Sequence, residues 1–254
     1  ATGSRPAMPA AFDLGNPRIM SSTEALQVET IPETLLVIGA GYIGMELGMV
    51  YARLGSQITL VEALPSILAG ADPDLVSVLQ KQVKSEFSEI LLSHKVAKMK
   101  TKKSAIEVVL ENAEGKKETR SFDKVLVCVG RSPNSETLGL ENTKVKLDEK
   151  GFVMVDESMQ SLDPAIYAIG DIVGGALLAH KASKEARIAV ENSLNMNASA
   201  ENLLIPAVVY TDPEIAWVGL TQQEAKEQGV KVKIAKFSWA ASGRALAMNR
   251  TEGF

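Results

Sequence analysis

The run Gly39-Ala40-Gly41-Tyr42-Ile43-Gly44 places three glycines at GxGxxG spacing. Each has a separate physical use around a phosphate. Gly39 permits a tight turn, Gly41 removes a side chain so that backbone can approach a pyrophosphate, and Gly44 lets a helix pack closely on a strand. The pattern alone is common, so its setting carries the weight. It follows the apolar run Thr34-Leu35-Leu36-Val37-Ile38 and opens a helix-patterned stretch, and Glu62 stands 18 residues beyond Gly44 at the end of a second strand pattern. That context is what a dinucleotide fingerprint requires. Amides from Gly39 to Gly44, including those of Ala40, Tyr42 and Ile43, would then face the phosphates at the positive end of a helix. Glu62 would accept hydrogen bonds from the adenosine ribose hydroxyls. Its charge would repel a 2′-phosphate, and Val61-Glu62-Ala63-Leu64 offers no arginine, so the expected cofactor is NAD rather than NADP.

Other reactive side chains are few. The single cysteine, Cys128, excludes an internal disulfide, a CxxC motif and a Cys/His zinc cage, and no metal site is expected. Cys128 falls inside the run Asp123 to Gly130 and reads as a packed thiol rather than a reactive one. The two histidines are His94 and His180.

The elements that must position these residues are legible from periodicity. The run at 34–39 reads as a strand buried on both faces. Ile43, Leu47, Val50 and Leu54 recur at helical spacing until Gly55, and Gln57 to Glu62 reads as the next strand. Strand, glycine turn, helix and strand make a βαβ unit with parallel strands and a right-handed crossover. A second helix has Asp72 as N-cap and Pro73 at its first position, with Leu75, Val78, Leu79, Val83 and Phe87 as its apolar stripe. Alternation over 106–111 and 117–122 about Glu114-Gly115 predicts a hairpin or meander in place of a crossover helix. The basic stretch Lys98 to Lys103 alternates like a solvated strand edge. Asp123 to Gly130 and Ala165 to Asp171 read as strands ending in glycine, and a helix is expected from about Lys181 to Met196. Strands at 206–218 and 231–239 around a helix at 221–228 suit the opening of an α+β domain. Residues 1–30 read as a connecting segment with one short helix near 22–27.

The chain has 254 residues, 46% apolar, with 27 basic and 31 acidic side chains. It is long enough for one large or two modest cores. No one-sign charge block suggests nucleic acid or anionic lipid, and no apolar run approaches the roughly 20 residues needed to span a bilayer, so neither nucleic acid nor membrane is an expected partner. A cytoplasmic location is expected, or an organelle matrix. The opening Ala1-Thr2-Gly3-Ser4 and the close at Thr251-Glu252-Gly253-Phe254 suggest a chain truncated at both ends.

With these residues placed, the chain resembles the pyridine nucleotide-disulfide oxidoreductases, and among them the dihydrolipoamide dehydrogenase type. Ala1-Thr2-Gly3-Ser4 resembles the ATG segment of the FAD domain, Gly39 to Glu46 the NAD fingerprint, and Val129-Gly130-Arg131-Ser132-Pro133-Asn134 the GRxPN turn. Ala168-Ile169-Gly170-Asp171 resembles the second FAD motif, Leu177-Leu178-Ala179-His180-Lys181-Ala182 a flavin-contacting segment, and Val208 to Ala216 the entry to a dimerisation domain.

The resemblance implies an α/β fold: a Rossmann-like NAD-binding domain with parallel sheet and β-meander crossover, partial FAD-domain segments, and the start of an α+β dimerisation domain. The expected division is an FAD-domain remnant and linker at 1–30, the NAD domain at 31–157, a returning FAD or central segment at 158–201, and an incomplete dimerisation domain at 202–254. It implies Glu46 near the nicotinamide, Val96, Gly130 and Arg131 along the NAD pocket, and Thr2, Gly3, Gly170 and Asp171 at FAD. Leu177, Leu178, Ala179 and His180 would follow the isoalloxazine by backbone contact. Read without the family, Glu46 is an exposed helix acid, Asp171 a helix cap and His180 a helix-start polar residue. No catalytic residue is assigned, because the family's CxxxxC pair and C-terminal His/Glu pair have no counterpart here, nor has its first FAD glycine motif. The implied parent reaction is dihydrolipoamide with NAD+ giving lipoamide and NADH through FAD. Its partners would be NAD(H), a lipoyl domain or small disulfide, and a second copy in a homodimer. The alternatives are a glutathione-reductase-like or NADH-oxidase-like flavoenzyme, or a non-catalytic NAD-binding or interaction module.

Overall fold

The computed structural model describes residues 1–254. In chain order the elements are β1 (Ser4–Pro6), β2 (Ile19–Met20), α1 (Ser22–Ala25), β3 (Thr34–Ile38), α2 (Tyr42–Arg53), β4 (Gln57–Glu62), α3 (Pro73–Glu86), β5 (Glu89–Leu92), β6 (His94–Thr101), β7 (Ile106–Asn112), β8 (Lys117–Phe122), β9 (Lys124–Val127), β10 (Arg131–Pro133), α4 (Ala179–Ser193), β11 (Ala207–Val209), β12 (Ile215–Trp217), α5 (Gln222–Glu227) and α6 (Gly243–Ala247). They fall into two compact units, one of residues 8–129 and 208–254, the other of residues 1–7 and 130–207.

The first unit is built on a five-stranded sheet in the order β2-β9-β3-β4-β5, every neighbouring pair parallel. Its strands alternate between two cores, as apolar runs buried on both faces must. Leu35, Val37, Ile58, Leu60 and Leu126 face a core shared with α2 and α3. Leu36, Ile38, Val61, Val125 and Val127 face a second core closed by Met99, Ile106, Val108, Leu110 and Phe122. Those last residues belong to the antiparallel meander β6-β7-β8, which links β5 to β9 and stands where a crossover helix would otherwise cover the sheet.

Both helical stripes differ from the expected ones. On α2 the buried residues are Gly44, Met45, Leu47, Gly48, Met49 and Tyr51, while Val50 and Leu54 are exposed. The cause is the pair of glycines: a Cβ at Gly44 would lie 3.4 Å from Val37 Cγ1 and one at Gly48 3.7 Å from Val37 Cγ2, so the face without side chains is the one pressed on the strand. Counting apolar side chains misses such a face. On α3 the stripe is Val76, Leu79 and Val83, with Phe87 buried just beyond the helix and Leu75 and Val78 half-buried at its edge. Asp72 is the N-cap residue by backbone, but its carboxylate caps nothing on α3 and accepts the amide of Gln222 instead.

Residues 1–30 are more than a connector. β2 adds a fifth strand to the sheet, and in the second unit β1 pairs antiparallel with β10. The stretch 165–171 forms no strand: Tyr167 makes one isolated bridge to Gln160, and Gly170–Val173 is a 3-10 turn. A single bridge gives no ladder, so Ala168 and Ile172 are buried, and Ile166 partly buried, by packing alone. The helix α4 starts and ends two to three residues earlier than expected. The 206–218 stretch divides into β11 and β12, which pair as a two-stranded sheet with the cis Asp212-Pro213 bond in the connection between them. Residues 231–238 form no strand, since no partner strand runs alongside; a 3-10 turn (Trp239–Ala241) and α6 follow. No helix is long and apolar enough to cross a membrane.

Candidate functional site

The carboxyl ends of β3 and β4 carry the first candidate cluster. β3 is anchored at its start by Asp123, whose carboxylate accepts the Thr34 amide at 2.9 Å and the Thr34 hydroxyl at 3.0 Å. At its other end Gly39 turns with φ +101°, a conformation that favours glycine, and a Cβ there would stand 2.3 Å from the Cys128 carbonyl oxygen. A Cβ at Gly44 would lie 1.9 Å from the Gly39 carbonyl oxygen, so only glycine lets α2 sit this close to the strand. Gly41 differs. It is the N-cap of α2 with extended backbone and no side-chain cap, and nothing lies within 4 Å of where its Cβ would be. Gly41 therefore faces open space at the positive end of α2, space that a Cβ at position 41 would enter. That cradle fits a pyrophosphate.

Glu62 closes the cluster from the side. Its Oε2 accepts the Ala40 amide at 2.7 Å and its Oε1 the Leu64 amide at 2.9 Å. The carboxylate thus points at the glycine turn, and each oxygen keeps a further lone pair for a sugar hydroxyl. Glu46, one turn into α2, accepts the Tyr210 amide at 2.9 Å, and Tyr42 stacks on Trp217 with ring centroids 5.9 Å apart. Both contacts come from the 208–217 segment and have no signal in the GxGxxG run. Burial raises the Tyr42 phenol above its ordinary value. Ile43 packs against the core. Val96 lies in β6 opposite Leu110, partly buried against the meander core.

Cys128 follows β9 and packs against the α2 and α3 core. Burial pushes its thiol from the ordinary 9.0 up to about 12. The thiol form therefore adds stability that is complete below pH 9 and lost as pH rises through about 12. In the folded chain at pH 8, Ellman's reagent is expected to leave Cys128 unmodified over minutes, with one thiol released on addition of denaturant; rapid modification before denaturation would contradict a packed thiol.

In the second unit the β1–β10 ladder brings the ATG segment to the GRxPN turn. The Ala7 amide donates to the Gly130 carbonyl at 2.9 Å, and Thr2 and Asn134 exchange hydrogen bonds at 3.0 and 2.9 Å. Gly3 has φ +71° and Gly130 φ +125°. Arg131, expected along the NAD pocket, has its guanidinium committed here: Nε donates to the Ser4 hydroxyl at 2.6 Å and Nη2 to the Ser4 carbonyl at 2.7 Å. The Ser4 hydroxyl in turn donates to Asp171, and Arg131 Nε stands 3.7 Å from the same carboxylate. Ser4, Arg131 and Asp171 are therefore joined in one network, with Thr2 and Gly3 tied to Asn134 and Gly170 preceding Asp171 in the chain. A partly exposed carboxylate accepts hydrogen bonds from hydroxyl groups, so Asp171 fits the polyhydroxylated chain of a flavin dinucleotide. Leu177, Leu178, Ala179 and His180 lead into α4, with Leu178 as N-cap, and His180 Nε2 stands 2.6 Å from the Pro206 carbonyl.

Two residues that sequence reasoning passed over lie beneath this network. Lys181 and Glu185, each 6% exposed, pair at 2.5 Å within α4, and Glu185 also accepts the Gly170 amide at 2.7 Å. The i,i+4 spacing was the available signal; burial hid it, since such pairs usually lie on solvated helix faces.

Comparison with known proteins agrees with this geometry. Residues 1–186 match the family described as pyridine nucleotide-disulphide oxidoreductase, and residues 205–254 match the dimerisation domain of that family. Dihydrolipoyl dehydrogenases from Thermus scotoductus and Geobacillus stearothermophilus are 45% and 42% identical over the whole of this chain, which covers 55% and 54% of their lengths. Among solved structures, the HOCl-induced flavoprotein disulfide reductase RclA from Escherichia coli aligns with a TM-score of 0.88 at 26% identity, over 100% of this chain and 58% of its own. LpdA from Mycobacterium tuberculosis gives 0.89 at 26% identity, over 98% and 54%. The chain spans about half the length of the curated relatives it matches. With glycine turn, strand-end acid, β-meander crossover and ATG network all present on one polypeptide that the family profile covers from its first residue to position 186, the chain belongs to the pyridine nucleotide-disulphide oxidoreductase family.

Proposed function

We propose that this chain is the NAD-binding portion of a flavoprotein that oxidises dihydrolipoamide with NAD+, giving lipoamide, NADH and a proton. The observation that carries the reading is the Glu62 carboxylate turned onto the Ala40 amide beside the open Gly41 cradle. Gly39, Gly41 and Gly44 shape the pyrophosphate seat, the amides of Tyr42 and Ile43 donate into it, and Glu62 takes the adenosine ribose. Glu46 lies toward the nicotinamide end of the same helix, with Val96 and Gly130 as further pocket residues. Thr2, Gly3, Gly170, Asp171 and the 177–180 segment serve FAD, which when bound supplies two-electron exchange between nicotinamide and a disulfide. With one cysteine, this chain contributes nucleotide binding and orientation rather than the dithiol. The domain division is proposed as 31–157 for NAD, 1–30 and 158–201 for FAD, and 202–254 for dimerisation; the parent would be a cytoplasmic homodimer whose disulfide partner is a lipoyl group.

The identities of 40–45% to dihydrolipoyl dehydrogenases, against 26–27% to RclA, support lipoamide over other disulfides as the parent's substrate. The test is an assay of the protein in its natural length with dihydrolipoamide and NAD+, beside glutathione disulfide and NADPH. Turnover of the first pair and less than about a hundredth of that with the second is expected; the reverse preference would assign a glutathione-reductase-like enzyme.

A further inference from the structure

Gly170 is the residue on which the direction of Asp171 depends. It turns with φ +80°, and a Cβ on it would come within 3.1 Å of Ala182 Cβ, so the turn is seated directly on α4. Both of its backbone polar groups are taken up by one ion pair. Glu185 Oε2 accepts its amide at 2.7 Å, Lys181 Nζ approaches its carbonyl at 3.4 Å, and the two side chains close on each other at 2.5 Å. Both are 6% exposed, and neither reaches the surface network of Ser4, Arg131 and Asp171. A fully charged pair is an expensive way to hold a helix together, because desolvation offsets most of its attraction and an apolar pair of like volume often serves as well. What an apolar pair cannot do is fix a peptide by its N–H and C=O together.

We infer that Lys181 and Glu185 form a positioning pair that locks the Gly170 peptide and thereby aims the Asp171 carboxylate at the flavin dinucleotide. This inference rests on the FAD reading of Asp171 given above. Lys181 and Glu185 touch no cofactor themselves; they act through the turn.

The experiment uses the protein in its natural length, stripped of flavin and titrated with FAD by flavin fluorescence, with NADH affinity and unfolding midpoint measured alongside. Replacing both members, Lys181→Met with Glu185→Leu, removes the charges together and leaves no lone buried ion, so the fold is retained. FAD affinity is expected to fall about tenfold or more, the scale of one charge-assisted hydrogen bond, with NADH affinity unchanged. Lys181→Met with Glu185→Gln keeps an uncharged acceptor for the Gly170 amide, and is expected to restore FAD affinity to within about threefold of wild type. A third variant, Asp171→Ala, separates the two levels of the argument. If Asp171→Ala weakens FAD while the Met/Leu protein binds it normally, the positioning role is overturned and the FAD reading stands. If Asp171→Ala binds FAD as wild type does, both are overturned. A folded Met/Gln protein that binds FAD about tenfold or more weaker than wild type also overturns the inference, and this arm is read against wild type should the Met/Leu protein not fold.

Discussion

Gly41→Ala is expected to leave the unfolding midpoint within about 3 °C of wild type while weakening NADH at least about tenfold, whereas Gly44→Ala loses both stability and binding. The contrast follows from what each new methyl group meets. At position 41 the backbone is already extended, with φ −78° and ψ −171°, and nothing lies within 4 Å, so alanine is tolerated at the modest cost of a poorer N-cap. The methyl group would project into the cradle where a pyrophosphate must come within hydrogen-bond distance of the α2 amides, and a displacement costing about 1.4 kcal/mol is already tenfold. At position 44 the same methyl would lie 1.9 Å from the Gly39 carbonyl oxygen and 3.4 Å from Val37 Cγ1. Backbone cannot yield as a flexible side chain does, so α2 must lift from β3. Overpacking of that kind costs about 3 kcal/mol, roughly 10 °C in a unit of this size. Thermal melts and NADH titrations of the two variants check the pair. A Gly41→Ala protein that binds NADH normally would show that the cradle is not the phosphate seat.

Glu62→Ala has the second large effect. The carboxylate ties the Ala40 and Leu64 amides and is assigned the adenosine ribose, so its removal loosens the glycine turn and strips the sugar of its acceptor. Hydrogen bonds to a charged acceptor are worth about 1.5–3 kcal/mol, and NADH affinity is expected to fall roughly 10- to 100-fold. NADPH should suffer less, because the same change removes a repulsion against the 2′-phosphate. The gap between the two nucleotides narrows from the NADH side.

How much of this could be read in the residues differs by element. The βαβ unit was legible because three signals coincide within 34–62: apolar runs buried on both faces, glycine spacing and a strand-end acid. The meander was equally clear, since alternation over 106–111 and 117–122 matches the observed ladder from Ile106–Phe122 to Glu111–Lys117. Where the reading slipped, the deciding contact was distant in sequence. β1 and β2 are strands of three and two residues whose identity depends on β10 and β9 more than a hundred residues later. The packed face of α2 is defined by Gly44 and Gly48, which an apolar count scores as gaps. The Ser4 contact that holds the Arg131 guanidinium likewise joins residues far apart in sequence. The strand patterns at 165–171 and 231–239 have suitable side chains and no strand beside them, and side chains alone do not make a sheet.

The central claim is that the glycine turn after β3 and the acid at the tip of β4 together form an NAD site. Titrating the wild-type chain with NADH and with NADPH at one ionic strength, following nucleotide fluorescence, tests it most directly. The account predicts saturable NADH binding at least about tenfold tighter than NADPH, from charge repulsion at Glu62. Tighter binding of NADPH, or no saturable binding of either nucleotide by the folded chain, would contradict it.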